Sequence, residues 1–182
     1  MSTYDIVSIP KSSLVFEQTV ALLEESWPHC YPEKVARQTM EQLIETGIFL
    51  VALQGSVLLG MIGAQPQYGK TGWELHPLAV DVNHRFKGIG KALVKALEHA
   101  VSNAGGIVMY LGTDDAFDQT SLADSDLFDR PFEKIKAIKN KANHPYTFYE
   151  KCGYTIVGVI PDANGFHRPD IIMAKRIAFQ SS

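Results

Sequence analysis

A short glycine-containing turn is the first segment whose residue types suggest chemistry. Residues 85–90 read Arg-Phe-Lys-Gly-Ile-Gly and lie between a predicted strand and the clearest predicted helix. A helix start exposes unpaired backbone N–H groups and the positive end of the helix dipole, and glycine lets a bulky anion approach that backbone. The turn therefore suits a pyrophosphate, with Arg85 and Lys87 adding positive charge. The same glycines would also permit a tight turn and close helix packing, and neither the full dinucleotide-binding pattern nor the P-loop pattern is present.

The strand before this turn carries two polar side chains, Glu74 and His76, among apolar neighbours. Alternation places both on one face with Leu78 and Val80. Pro77 cannot donate to a strand ladder, so it marks an edge or a bulge. The apolar character of the strand favours a bulge in a central strand, which would splay the neighbouring strand and open a cleft. Glu74 is thus a candidate for binding or deprotonating an amine; an edge position in water or a satisfied internal pair is the alternative.

An acidic segment at residues 114–129 is the third candidate, and no Lys or Arg interrupts it. Such a charge run is often a solvated loop, but a connection this long between elements is unusual unless it is functional. An acidic rim would attract and orient a polycation. The basic stretch 130–141 that follows is either a solvated helix face or a contact for a phosphate. The aspartates of the segment are Asp114, Asp115, Asp118, Asp124, Asp126 and Asp129.

Composition bounds the class of protein. The chain has 182 residues, 46% hydrophobic and 20% charged, with a formal net charge of −3, which predicts one globular domain over residues 1–182. The acidic balance argues against a nucleic-acid or anionic-membrane partner. The first ten residues show no secretory pattern, and no apolar run is long enough to span a bilayer. Cys30 and Cys152 form neither a disulfide framework nor a metal-binding pattern, so we expect reduced thiols, a cytoplasmic location and no metal.

Periodicity predicts the elements that must position these residues. Their order, a strand and two helices followed by strands that alternate with helices, indicates an α/β domain with a mixed sheet. The predicted strands are 4–9, 48–54, 57–65, 73–81, 107–112, 154–160 and 170–177, and the predicted helices are about 12–26, 32–46, 88–104, 131–141 and 145–151.

Several sequence runs resemble a known enzyme family. The pattern R-x-x-G-x-G at 85–90 resembles the acetyl-CoA signature of the GNAT superfamily. The runs PQYGKTGWELHPL (66–78), LGTDD (111–115), HPYTFYEKCGY (144–154) and NGFHRPDIIMAK (164–175) resemble the aminoglycoside 6′-N-acetyltransferases, in particular the chromosomal enzymes of Gram-positive bacteria. The likeness extends from about Trp27 to Lys175. It implies a GNAT fold, with a mixed central β-sheet, splayed central strands and flanking helices, an acetyl-CoA cosubstrate and a homodimer.

The resemblance also implies roles for individual residues. The amide of Leu78 would stabilise the oxyanion, the phenol of Tyr149 would protonate the leaving thiolate, and Glu74 would take the amine proton with help from His76. No cysteine matches a nucleophile, so transfer would be direct. The implied cofactor-binding residues are Leu78, Val80, Arg85, Phe86, Lys87, Gly88, Ile89, Gly90 and Lys91. The implied acceptor-binding residues are Glu74, Trp27, Tyr68, Asp114, Asp115 and Asp118, with Tyr31 either a pocket wall or an ordinary aromatic residue.

The expected activity is therefore transfer of an acetyl group from acetyl-CoA to the 6′-amino group of an aminoglycoside antibiotic, giving resistance. A first alternative is a GNAT acetyltransferase acting on a polyamine, a small metabolite or a protein amine. A second alternative is a non-catalytic module that binds acyl-CoA or the antibiotic. Retention of Glu74, Tyr149 and the glycine turn argues against the second alternative.

Overall fold

The structure is a computed structural model that describes residues 4–178. The chain divides into two compact units. The first comprises Met1–Met109 together with Ile177–Ser182, and the second comprises Tyr110–Arg176. Within the described range, no helix has the length and apolar character needed to cross a membrane.

The first unit is a sheet of antiparallel strands in the order β1-β2-β3-β4, with three helices. Pairs such as Ile6–Ala52, Val51–Met61 and Met61–Ala79 fix the register. The strands are β1 (Asp5–Val7), β2 (Ile48–Gln54), β3 (Val57–Tyr68) and β4 (Gly72–Val80), and the helices are α1 (Leu14–Ser26), α2 (Glu33–Thr46) and α3 (Ile89–Asn103).

Helices α1 and α2 close the core of this unit. The side chain of Ser13 caps α1 by accepting from the N–H of Val15, and Gly47 ends α2. The buried faces of the two helices meet the inner strands, where Leu23, Met40 and Met61 are fully buried. Burial of each such side chain contributes roughly 1.5–3 kcal/mol, so this apolar layer holds the strands that carry the candidate site.

Helix α3 connects β4 to the next strand, β5 (Val108–Asp114). Its buried face includes Leu93 and Leu97, and it is followed by Gly105 in a left-handed conformation with φ +92°. The N–H groups of Ile107 and Val108 both donate to the carbonyl of Thr71, just before β4, over 2.8 and 3.1 Å. The starts of β4 and β5 thus lie side by side, as in a parallel pair, so the sheet is mixed, as the sequence predicted.

The second unit contains most of β5 and orders its strands β5-β7-β6. Strands β6 and β7 are antiparallel, with Val159 opposite Ile171. Fully buried side chains such as Leu111, Ile171 and Met173 form its interior. Its remaining elements are β6 (Thr155–Ile160), β7 (Asp170–Arg176), α4 (Pro131–Lys136) and α5 (Tyr146–Lys151).

The predicted helix 131–141 is wrong in its second half, because α4 ends at Lys136. The residues that follow pair with the acidic segment instead of continuing the helix. The N–H of Lys139 donates to the hydroxyl of Ser121, and the N–H of Lys141 donates to the carbonyl of Gln119. These long-range bonds satisfy the backbone groups that a helix would have used. The other predicted helices and strands are confirmed to within a few residues at their ends.

Candidate active site

Strand β4 contains the predicted bulge. Ile62 lies opposite Leu78 and Ala64 lies opposite Leu75, so β4 has one residue more than β3 in this stretch. The extra residue falls at His76–Pro77, where the peptide bond is cis. A bulge re-aims the side chains of its strand, and the sequence-based prediction of a bulge at the proline is confirmed. Splaying of the neighbouring strand remains a prediction.

The side chains of β4 alternate between the core and an accessible face. Trp73, Leu75, Pro77 and Ala79 are buried, whereas Glu74, His76, Leu78 and Val80 are partly or largely exposed. The predicted shared face is therefore present. Leu78 and Val80 add an apolar surface next to the two polar groups, which is the mixture that a small-molecule site requires.

Both polar side chains of this face are held by neighbours. An Oε2 atom of Glu74 accepts a hydrogen bond of 3.1 Å from the side-chain amide of Gln67 on β3. Nε2 of His76 lies 2.5 Å from the hydroxyl of Tyr31. Tyr31 in turn meets the edge of Trp27, with ring centroids 6.3 Å apart. The structure thus brings Trp27 and Tyr31, from the segment after α1, to His76 of β4.

Tyr68 occupies the last position of β3. Its side chain is exposed and its ring covers Gly72, where an added Cβ would lie 2.9 Å from a ring carbon. The exposure of Tyr68 is therefore compatible with its predicted role in binding the acceptor.

The segment before the glycine turn is fixed by side-chain hydrogen bonds. A 3₁₀ turn covers Val82–His84, and a carboxylate oxygen of Asp81 accepts from the N–H of Asn83 and from Nδ1 of His84, each over 2.9 Å. The bond from His84 holds the pKa of Asp81 below its usual value. An ionised Asp81 accepts both hydrogen bonds more strongly than a protonated one, so the backbone before the glycine turn is held in place.

The glycine turn itself presents unpaired donors. Phe86 and Gly88 are both left-handed, with φ of 60° and 84°, and α3 begins at Ile89. Among the described residues, none accepts a hydrogen bond from the backbone N–H groups of residues 86–91. A Cβ added to Gly88 would meet no atom within 4 Å, so the space beside it is open. Successive residues that alternate between left- and right-handed backbone conformations before a helix point their N–H groups into a concavity that binds anions. This geometry fits a pyrophosphate.

The two basic side chains of the turn are anchored on the protein. Nε of Arg85 donates to the carbonyl of Val80 over 3.0 Å, and Nζ of Lys87 donates to the carbonyl of Asn83 over 2.9 Å. Their charge stays beside the turn, while the N–H groups supply the directional donors.

In the second unit, Asp115 is held inside its own loop. Its carboxylate is fully buried and accepts from the N–H groups of Gln119 (2.6 Å) and Thr120 (2.8 Å), one on each oxygen. A carboxylate with both oxygens occupied by backbone donors organises its own loop. Asp115 therefore shapes the acidic segment, and its acceptor-binding role stays a prediction that its burial does not favour.

The acidic segment is also less negative than its sequence suggested. Nζ of Lys141 lies 2.7 Å from a carboxylate oxygen of Asp118 and 2.8 Å from one of Asp124. The hydrogen bond from Lys141 lowers the pKa of Asp118. Lys134 likewise donates to the carbonyl and carboxylate of Asp129. Some of the basic stretch thus neutralises the acidic segment.

Asp114 is exposed and supported by two residues that sequence analysis missed. Its carboxylate accepts from the side-chain amide of Asn164 over 2.6 Å, and its carbonyl accepts from Nε2 of His144 over 3.1 Å. His144 is fully buried, and its Nδ1 accepts from the N–H of Tyr146. Burial lowers the pKa of His144, so the imidazole is neutral. No spacing in the sequence connects these residues, because 30 and 50 positions separate His144 and Asn164 from Asp114.

Tyr149 lies on α5 with its ring packed between two others. The rings of Phe148 and Tyr154 meet it edge-on at centroid distances of 5.1 and 5.9 Å. Burial raises the pKa of Tyr149, so its phenol keeps its proton at neutral pH. Within residues 4–178 the hydroxyl has no hydrogen-bond partner, although its ring is only half-buried.

The sequence profile described as the Acetyltransferase (GNAT) family matches residues 16–123, more than half of the chain. The chain belongs to the GNAT family of acetyltransferases. The matched range includes β4, the glycine turn, α3 and β5.

Several solved structures resemble this acetyltransferase over nearly its whole length. The crystal structure of an aminoglycoside 6′-N-acetyltransferase complexed with coenzyme A is 43% identical, with a TM-score of 0.94 over 98% of this chain and 99% of that one. The enzyme of the same name from Enterococcus faecium is 44% identical, with a TM-score of 0.92 over the same shares. The aminoglycoside 6′-acetyltransferase type Ii is 38% identical, with a TM-score of 0.77 over 97% and 99%. No curated protein sequence matches the chain significantly.

The α/β GNAT fold expected from the sequence is therefore confirmed. In the part of the chain that the structure describes, no group of three or more His, Cys, Asp and Glu side chains is arranged to hold a metal ion.

Proposed function

We propose that this GNAT enzyme transfers the acetyl group of acetyl-CoA to the 6′-amino group of an aminoglycoside. The observation that carries the proposal is the identity of 43–44% over 98% of the chain to two structures of aminoglycoside 6′-N-acetyltransferases, one of them complexed with coenzyme A. The matched length spans the segments that carry the candidate site, whereas a fold likeness alone would leave the acceptor open.

The cosubstrate would be bound mainly by the main chain. The open, unpaired N–H groups of Phe86, Lys87, Gly88, Ile89, Gly90 and Lys91 suit the pyrophosphate of acetyl-CoA. Arg85 contributes charge from beside the turn. We assign the accessible apolar side chains of Leu78 and Val80 to the pantetheine arm and thioester.

Glu74 is proposed to take a proton from the acceptor, directly or through one water molecule. The acceptor arrives as an ammonium ion and must become a neutral amine before it attacks the thioester carbon. Glu74 passes this first proton on to solvent. In the attack, a C–N bond forms and the C–S bond breaks; the second proton that the nitrogen loses leaves through solvent, and the thiolate gains its proton from Tyr149, which is then reprotonated from solvent. The accessible position of Glu74 and its anchoring by Gln67 support this role. His76, two residues further along the same face, would assist.

Two further groups are proposed to act on the charges that develop. The amide of Leu78, directly after the bulge, would donate to the oxygen of the thioester carbonyl, since a fixed N–H is an effective oxyanion donor. Tyr149 would protonate the leaving thiolate. A phenol whose pKa is raised by burial stays protonated until a strong base such as a thiolate needs the proton, which supports its assignment as the acid.

The acceptor would be bound by aromatic and acidic side chains. Trp27 and Tyr68 are exposed aromatic residues of the first unit. Asp114 and Asp118 are the exposed carboxylates of the acidic segment that we retain as acceptor contacts. Asp118 would have to exchange its ion pair with Lys141 for one with the polycation, so Asp114 is the stronger candidate.

We further propose a homodimer of single-domain chains, working in the cytoplasm and conferring resistance on its host. The dimer and the single domain rest on the family resemblance. The location rests on Cys30 and Cys152, which are free cysteines of the kind expected in a reducing compartment.

The test is acetyl-CoA-dependent thiol release with kanamycin, spermidine and a lysine peptide as acceptors. We expect the highest kcat/KM with kanamycin, and product analysis should place the acetyl group on the 6′ nitrogen. An aminoglycoside with a 6′-hydroxyl in place of the 6′-amine is the matched control and should give no 6′ product. A higher kcat/KM with spermidine or the peptide would favour the alternative acceptors, and no thiol release with any amine would leave only a binding module.

A further inference from the structure

Tyr31 is placed by the turn that ends α1. The N–H groups of Cys30 and Tyr31 both donate to the carbonyl of Trp27, over 3.0 and 2.9 Å. One side of the Tyr31 ring packs against the hydrophobic core of the first unit, and Trp27 meets its edge. The direction of the phenol is therefore fixed by the fold and not by solvent.

The hydroxyl of Tyr31 meets Nε2 of His76 at 2.5 Å, with ring centroids 5.8 Å apart. Two proton arrangements fit this distance. A phenol is a much stronger acid than the N–H of a neutral imidazole, so the shorter bond forms when Tyr31 donates and Nε2 accepts. The proton of the neutral imidazole then resides on Nδ1.

His76 needs a hydrogen-bond partner to hold its ring in one orientation and one tautomer. It is an exposed side chain at the bulge of β4, where a histidine without a fixed partner samples several rotamers and both tautomers. Glu74, two residues away, lies about 6–7 Å along the same face of the strand and is held by Gln67. The face thus carries a carboxylate and an imidazole, each tied to a neutral partner from another segment.

We propose that Tyr31 is a positioning residue for acetyl transfer, which fixes His76 as a neutral Nδ1–H hydrogen-bond donor toward the acceptor. The proposal rests on the acetyl transfer proposed above. Because Nε2 is occupied by the phenol, His76 has no lone pair for the amine proton. Proton removal then belongs to Glu74, and the assistance of His76 consists of donating a hydrogen bond to an oxygen of the acceptor.

The first arm of the test is spectroscopic and needs no turnover. Nitrogen-15 chemical shifts of His76 in the free enzyme should show protonated Nδ1 and unprotonated Nε2. Tyr31→Phe keeps the ring and its packing but removes the donor, and should shift His76 toward a mixture of tautomers. Tyr4→Phe removes a phenol elsewhere in the first unit and should leave the His76 signals unchanged. A wild-type imidazole protonated on Nε2 would overturn the proposal.

The second arm is a double-mutant cycle on kcat/KM for the aminoglycoside. His76→Asn retains a donor near the position of Nδ1 but has no atom at Nε2, whereas His76→Gln reaches the position of Nε2 but has no donor at Nδ1. We expect Tyr31→Phe to lower kcat/KM by about two- to ten-fold, the range of one hydrogen bond, and His76→Gln to lower it more than His76→Asn.

Tyr31→Phe should have no further effect in the His76→Asn background, because its partner atom is already absent. Independent, multiplicative effects would show that the Tyr31 hydroxyl does not act through His76 and would overturn the proposal. Unchanged unfolding temperatures in Tyr31→Phe and His76→Asn exclude loss of folding as the cause. A wild-type enzyme that acetylates no aminoglycoside would refute the proposed function, and the spectroscopic arm would still decide the state of His76.

Discussion

Gly88 offers the sharpest test of the anion-binding turn. It is the residue before α3, its φ is 84°, and an added Cβ would meet no atom of residues 4–178 within 4 Å. Gly88→Ala therefore creates no clash inside the protein. It places a methyl group in the open space beside the unpaired N–H groups of residues 86–91, where the pyrophosphate is proposed to bind.

Two magnitudes follow from this geometry. A left-handed alanine costs roughly 1–2 kcal/mol relative to glycine, which for a chain of this size lowers the unfolding temperature by roughly 2–8 °C. Holding the pyrophosphate away from even one donor forfeits a charge-assisted hydrogen bond worth about 1.5–3 kcal/mol. That loss corresponds to about a ten- to one-hundred-fold weaker affinity for coenzyme A.

Gly105 is the matched control, because it separates the two effects. It follows the other end of α3 with φ +92°, and a Cβ there would also meet nothing within 4 Å. Gly105→Ala should carry the same backbone cost without touching the turn. Calorimetric titration with coenzyme A and thermal unfolding of both variants should show similar losses of stability but weakened binding only for Gly88→Ala. Wild-type affinity in Gly88→Ala, or equal weakening in both variants, would refute the assignment of the turn.

Three other predictions follow from single side chains. Tyr149→Phe removes the proposed acid and should slow single-turnover acetylation by roughly ten-fold or more; a wild-type rate would remove Tyr149 from the chemistry. Asp115→Asn turns an NH₂ group toward a buried backbone N–H and should lower the free energy of unfolding by about 1–3 kcal/mol in chemical denaturation. Asp118→Asn, in contrast, should leave stability unchanged and raise only the aminoglycoside KM. An unchanged free energy of unfolding in Asp115→Asn would mean that the carboxylate does not order the loop. Because burial lowers the pKa of His144 in the folded protein, the unfolded chain binds a proton near the ordinary histidine pKa of about 6.5 that the folded protein does not bind. Stability should therefore fall as pH decreases from about 7.5 to about 5.5; His144→Gln should weaken that dependence, and an unchanged slope would assign it to other groups.

Local patterns in the sequence predicted most of the fold. The bulge in β4 followed from Pro77, which cannot donate within a central strand, and the structure has it at that residue. Helix α3 followed from apolar residues spaced three and four apart, with Gly88 and Gly105 at its ends. These features depend on neighbours within a few positions, which is the range over which a sequence is informative without its fold.

Features that depend on distant partners escaped prediction. The run of aspartates indicated an uncompensated acidic rim, because its cation, Lys141, lies 23 positions from Asp118. The bond between Tyr31 and His76 joins residues 45 positions apart. Asp115 shows the same limit, since the sequence gives the charge of a side chain but not its burial. Each of these pairings exists only because strands and loops bring the partners together.

The cosubstrate is proposed to be bound mainly by main-chain groups and the acceptor by side chains, so substitutions should affect the two differently. Backbone N–H groups of the turn at residues 86–91 belong to the main chain, so a side-chain change can block them but cannot remove them. The acceptor, in contrast, is proposed to depend on exposed side chains such as those of Trp27 and Tyr68. Each such contact contributes little alone and is lost by one substitution. Changes on the acceptor side should therefore alter which amine is acetylated, while affinity for the cosubstrate persists.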